Sequence, residues 1–178
     1  MQGILLNIKN GIDQINEQIG RLTSWLTALL VLLVCYDVFT RYMMNETRAW
    51  VMELEWHLFA LIFLLGAAYA LKHDKHVRVD LFYADFSKKD KAWVNLLGGI
   101  LFLVPWCLMV IYWSFDYANL SLSVREGSPD PGGLPARYII KFVVPLGIGL
   151  LLLQGISSII SSIFVLKDWN HSSISGED

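Results

Sequence analysis

Charge is what this sequence has least of. Only 17% of its 178 residues are Asp, Glu, Lys or Arg, against 55% that are hydrophobic. A water-soluble domain needs a charged shell that such a composition does not supply, so the chain reads as an integral membrane protein. The formal net charge of −2 argues against a nucleic-acid partner, because phosphate binding needs a concentrated basic surface. Cysteine is scarce as well. Cys35 and Cys107 both fall inside apolar runs and form no C-x-x-C pair, so they read as small buried hydrophobes, not as a disulfide or metal site. The sequence also lacks a nucleophile paired with a base, a phosphate-cradling glycine loop and a metal-ligand set. Nothing in it supports enzyme activity.

Long apolar runs are abundant. Crossing a bilayer takes about 20 mostly apolar residues, and four runs qualify: Leu22 to Thr40, Trp50 to Leu71, Ala92 to Phe115 and Phe142 to Leu166. None alternates as a barrel strand must. The expected fold is therefore an all-α membrane protein of one domain. It comprises four transmembrane helices over 22–40, 50–71, 92–115 and 142–166, an amphipathic helix over 1–21 and a tail over 167–178. An even number of spans puts both termini on one side, together with the loop joining the second and third spans. That side holds nine Lys and Arg (Lys9, Arg21, Lys72, Lys75, Arg78, Lys88, Lys89, Lys91, Lys167) and the other side five. The excess places both termini in the cytoplasm. Mostly polar or amphipathic residues precede the first span and no A-x-A site follows it, so it is expected to be retained and not cleaved as a signal peptide.

Before the first span, Ile8, Ile12, Ile15, Ile19 and Leu22 line one helical face, with Asn10, Asp13, Gln14, Asn16, Glu17 and Gln18 between them. Such a segment lies in the membrane interface against lipid, or along a neighbouring helix as a docking arm. In the Lys72–Lys91 loop, His73 and His76 stand near Asp74 and Asp80, but nothing fixes a metal geometry. The loop reads as solvated at headgroup level, with Val77, Val79 and Leu81 forming a short amphipathic turn. On the other side, residues 116–137 contain three prolines and three glycines. That connection is too long for a simple helical hairpin. It is either a contact for an external protein or a cover over the helix tops.

The middles of the spans are nearly all apolar, apart from Gln154 and the prolines Pro105 and Pro145. A carrier of charged solutes usually needs polar groups or broken helices near the midplane, so this chain offers no solute site. Gly66 with Ala70, Ser158 with Ser162, and Gly147 with Gly155 provide faces for close helix approach, within this bundle or to another chain. Asp37 and Arg41, four apart, are placed to pair along the helix. The second span opens with Trp50, Glu53 and His57 on one face and Glu55 on the other. A carboxylate at the bilayer centre costs roughly 2.5–3.5 kcal/mol, so these acids are expected at the outer edge, with Arg41 and Arg48 as partners. Trp50 and Trp56 suit the aromatic belt there. Arg125 and Arg137, on the outer connection, complete the candidates for edge anchoring or partner contact.

Arg41-Tyr42, Asn45, Trp50, Glu53-Leu54, Gly66-Ala67-Ala68 and His76-Val-Arg-Val-Asp-Leu81 occur in this order. Together they resemble the small membrane subunit of tripartite ATP-independent periplasmic (TRAP) transporters, whose pattern runs R-Y, W-x-x-E-L, G-A-A, H-x-x-V-D-L. The stretches GGLPARYIIK (132–141) and LLLLQGIS (150–157) resemble one branch of that family. Glu55, Trp56 and His57 depart from it, standing where the family often has a small residue, then Arg and an aromatic. The resemblance implies a subunit of a sodium-coupled importer of an organic acid in the bacterial inner membrane. Its partners would be a large membrane subunit, which carries the substrate and sodium sites, and a periplasmic substrate-binding protein. This chain would have no cofactor of its own; it would extend the static scaffold of the large elevator subunit and help dock the binding protein. Two other readings fit less well. A haem-bearing anchor of a respiratory enzyme needs two histidines at one depth, yet only His57 is near a span. A stand-alone four-helix exporter needs a deep carboxylate in the first span, and Asp37 is near its end.

Overall fold

The computed structural model describes residues 2–74, 83 and 85–175, with side chains over 3–74, 83 and 85–168. Among them run five α-helices: α1 (Gln2–Met43), α2 (Ala49–Lys72), α3 (Lys88–Gly98), α4 (Val104–Ser123) and α5 (Tyr138–Ser175). A π-helical stretch, Gly99–Leu103, joins α3 to α4. Four continuous helical stretches are long and apolar enough to cross a membrane: Gly3–Met43, Ala49–Lys72, Lys88–Ser123 and Tyr138–Asp168. Each encloses one of the expected apolar runs, and the architecture is all-α. The Val77/Val79/Leu81 alternation, His76 and the rest of the His76–Leu81 motif lie outside the described residues, as do residues 176–178 of the tail.

Local chemistry explains the breaks. Ser87 caps α3: its hydroxyl accepts the Asp90 N–H at 3.2 Å and donates to the Asp90 carboxylate at 2.7 Å, so one of the helix's open N–H groups is satisfied. Pro105 has no N–H and crowds the carbonyl four residues before it, so the helix widens to π geometry just ahead. At Gly99 a Cβ would stand 2.8 Å from Ile159 Cγ1. Only glycine lets this widened segment lie so close to α5. Pro145, by contrast, sits inside α5 without ending it.

The last helix is the centre of the bundle. α1 and α2 pack on one another and on α5, while α3 and α4 line the rest of it. The most apolar stretch of α5 is 44% buried, against 11% for each of the other three spans. Cys107, Ile148 and Leu151 form the innermost cluster, with Ala67, Leu103 and Val144 packed around it. Cys107 is buried as expected, but Cys35 is exposed on α1. An apolar run in lipid does not have to turn inward, because the surroundings are as oily as the core.

The same reversal runs along α1. Ile8, Ile15 and Leu22 face outward, while Asn16, Gly20, Thr23, Asp37 and Thr40 face the bundle. Asn16 donates to Gln154 Oε1 at 2.7 Å. Gln154 and Ser157 in turn donate to Asp13 at 3.0 and 2.6 Å, and Lys9 pairs with the same carboxylate at 2.7 Å. Glu17 receives Lys72 at 2.8 Å and Arg21 at 3.1 Å, with His73 Nε2 at 2.9 Å. Gly20 lies directly under the Tyr69 ring. Residues 2–21 thus continue into the first span as one helix, and residues 13–23 run along α2 and α5. This segment packs on the neighbouring helices through its polar face.

Candidate partner interface at the loop end

The end of the bundle opposite the termini is capped by the connection from α4 to α5. Arg125 adopts a left-handed φ of 46° and ends α4, so that its N–H reaches the Leu122 carbonyl and the Glu126 N–H the Ser121 carbonyl, both at 3.0 Å. Asp130-Pro131-Gly132-Gly133 then makes a tight turn. Pro131 presets its φ, Gly132 supplies φ +78°, and Gly133 N–H closes onto the Asp130 carbonyl at 3.0 Å. Two further backbone bonds tie the arms together: Ser128 N–H to Leu134 O and Arg137 N–H to Glu126 O, each 3.0 Å. The result is a closed cap.

Glu53 holds the cap down from α2. It is buried in spite of its charge, and its two oxygens accept the Ser128 hydroxyl and the Leu134 N–H. Gly133 must be glycine here, because a Cβ would stand 2.7 Å from Glu53 Oε2. Glu126 pins the other arm: its carboxylate accepts the Ser121 hydroxyl at 2.6 Å and pairs with Lys141. Lys141 also lies 4.1 Å over the Tyr117 ring. These donors hold the Glu126 carboxyl below its ordinary range, Lys141 contributing most and Ser121 next.

Of the expected residues, the structure brings Glu53, Trp56, His57 and Arg137 together. The Trp56 and His57 rings are 3.8 Å apart, the Arg137 guanidinium lies 5.4 Å over Trp56, and His57 Nδ1 meets the Glu53 carbonyl. Trp50 and Arg125 are exposed at the same end. Arg41 and Arg48 are not the partners of Glu53. Arg41 pairs with Asp37, as its spacing implied, while Arg48 pairs with Glu46 at 2.7 Å and donates to the Tyr36 hydroxyl at 3.2 Å. Each arginine has a nearer acceptor on its own side of the α1–α2 turn. Glu55 turns to the α1 side, near Asp37 and Arg41, with one oxygen buried and unbonded. Sequence reasoning missed Ser128, the Leu134 amide, Glu126 and Lys141. The D-P-G-G turn was a readable signal for the cap, but the Glu126–Lys141 pair had none.

The architecture defines a multi-pass membrane protein whose polar side chains gather at its two ends. Residues 30–164 match the family of tripartite ATP-independent periplasmic transporters, DctQ component. The chain belongs to that family: it is a small permease subunit of the TRAP type, in the inner membrane. It is 32% identical over 101 residues to the sialic acid TRAP transporter small permease protein SiaQ of Vibrio cholerae, a match over 57% of this chain and 55% of that protein. The matched stretch spans about half the length of that curated relative.

Proposed function

We propose that this subunit belongs to a sodium-coupled importer of an organic acid. It packs on the static scaffold of a large membrane subunit, which carries the substrate and sodium sites, and it helps receive a periplasmic substrate-binding protein at the 124–137 cap. The observation that carries this reading is the preordered cap, tied across its base and clamped to α2 by Glu53. A partner landing on a loop that is already ordered loses less conformational entropy than one that must order it. The cap then faces the periplasm and both termini the cytoplasm, in line with the nine-to-five distribution of Lys and Arg. The name of the Vibrio relative makes sialic acid the first organic acid to test.

The haem-anchor reading gains nothing from the geometry. His57 lies in α2 and His73 caps its C-terminal end, sixteen residues on and so about 24 Å apart. The test is affinity purification of the full chain from native membranes in mild detergent, with mass spectrometry of what accompanies it. A stoichiometric polytopic partner is expected, with a soluble binding protein retained by the native chain and lost on Glu53→Ala. A haem-bearing partner, or the chain alone as a dimer, overturns the reading.

A further inference from the structure

Residues 3–20, at the end that carries the termini, turn their charges inward. Lys9, Asp13 and Glu17 are the charged residues of this stretch, and all three are half-buried against the chain itself. Lys9 pairs with Asp13, Asp13 accepts Gln154 and Ser157 of α5, and Glu17 accepts Lys72 of α2. The outward residues carry no charge. Ile4, Ile8, Gly11 and Ile15 share one exposed face, with Asn7, Gln14 and Gln18 beside it. A helix lying on the membrane surface places Lys and Arg on its polar side, and none stands there. Gly11 is bare, since a Cβ on it would meet nothing within 4 Å. Glycine is the costliest residue after proline inside a helix, and nothing in this chain uses the space it leaves.

The face continues at seven-residue steps. Ile8, Ile15, Leu22 and Leu29 are all exposed, so it passes from the terminal end into the span without a break. Lipid can cover Leu22 and Leu29 but not the beginning of the face. The Lys72 ammonium, bonded to the Asp13 carbonyl at 2.9 Å and to Glu17 at 2.8 Å, marks the water edge of the bundle. Ile4 lies nine residues beyond Asp13, about 14 Å along the helix, past a headgroup layer of about 5–7 Å. It is nevertheless 66% exposed, and Ile8 47%. We infer, resting on the function proposed above, that this α1 face is covered by a helix of the large membrane subunit that continues out of the membrane beside it. A repeat of seven suits a long helix crossing at a shallow angle. Gly11 admits the partner's backbone closely, and the amide flanks call for no charged partner.

The test places a photo-crosslinking phenylalanine analogue at position 8, 15 or 10 of the full chain in its native membranes, with mass spectrometry of the adducts. Positions 8 and 15 should react with the large subunit. Position 10, where Asn10 is exposed on another side of the helix, should not. Gly11→Leu has open space in its own chain and should keep its helix content. It should retain about tenfold less large subunit on purification in mild detergent, while Asn10→Leu should retain all of it. Adducts with a second copy, with lipid alone or with another segment of this chain would overturn the assignment, as would full retention by Gly11→Leu. If the large subunit stays bound while positions 8 and 15 do not react with it, this face is refuted and the functional reading stands. A native chain that brings down no large subunit overturns both.

Discussion

The Glu53 carboxylate, in the second turn of α2, accepts the backbone N–H of Leu134, 81 residues further along the chain. Its other oxygen takes the Ser128 hydroxyl. One buried acid thus closes a loop at both of its arms. In a membrane protein whose outer surface is largely apolar, a buried acid at a span's edge persists because it has satisfied donors, and here those donors belong to the cap.

Glu53→Ala should free the cap while leaving the spans intact. Both donors lose their acceptor, and water must replace it. Hydrogen exchange at Ser128–Leu134 should rise sharply, with protection in α5 unchanged. Ser128→Ala removes one of the two bonds and should have a smaller effect, on the order of 1.5–3 kcal/mol for a bond to a charged acceptor. Equal protection of the cap in all three proteins would remove Glu53 from its assigned role.

The packing glycines should separate into two kinds. A Cβ at Gly147 would stand 2.8 Å from the Leu64 carbonyl oxygen and 2.9 Å from Leu64 Cβ, so α2 and α5 must part to admit it. Gly147→Ala should cost about 1–3 kcal/mol, the ordinary range for overpacking. At Gly66 the nearest atom is Thr23 Cγ2 at 3.9 Å, so Gly66→Ala should stay within about 0.5 kcal/mol of the native chain. Unfolding by detergent titration separates the two, and equal midpoints would refute the assigned contacts.

Much of this was legible in the sequence where the cause is local. A bilayer demands a length of apolar chain, and four runs supplied it. Asp37 and Arg41 pair because a helix brings residues four apart together. Contacts made by topology were not legible: nothing near Glu53 signals Ser128, 75 residues away. Arg41, paired with Asp37, stands beside Glu55 and not beside Glu53. Residues 8–22 were half legible. The periodicity of Ile8, Ile12, Ile15, Ile19 and Leu22 correctly marked a helix, but Ile8, Ile15 and Leu22 face outward and Ile12 and Ile19 are only half-buried. In lipid the polar side can be the packed one, and Asp13 and Asn16 needed Gln154 and Ser157 from the far end of the chain.

That polar seam yields an ordering of variants. Gln154→Leu deprives two groups at once, the Asn16 amide and the Asp13 carboxylate, and should cost about 1–3 kcal/mol. Asn16→Leu should cost less: it strands only the Gln154 oxygen and removes the Asn16 Oδ1 that is already buried without a partner. The double variant should cost less than the sum, because the second change removes a group the first had stranded. Additive losses would mean that the two residues act apart.

The cap should also respond to acid in one direction only. Lys141 first, and the Ser121 hydroxyl second, hold the Glu126 carboxyl below its ordinary value of 4.5. A group lowered in the folded chain binds its proton more readily when released, so its contribution is complete above about pH 4.5 and fades as pH falls through the lower folded value. Proteolysis within residues 124–137 should therefore be flat from neutral pH down to about 5 and rise below 4.5. Glu126→Gln should raise the neutral-pH rate and flatten the acid limb, since a neutral amide has no proton to take up. Other carboxylates titrate in the same range, so the difference between the two proteins is the quantity to measure. An acid limb that survives unchanged in Glu126→Gln would assign the response to a different carboxylate, with Glu53 the next to replace.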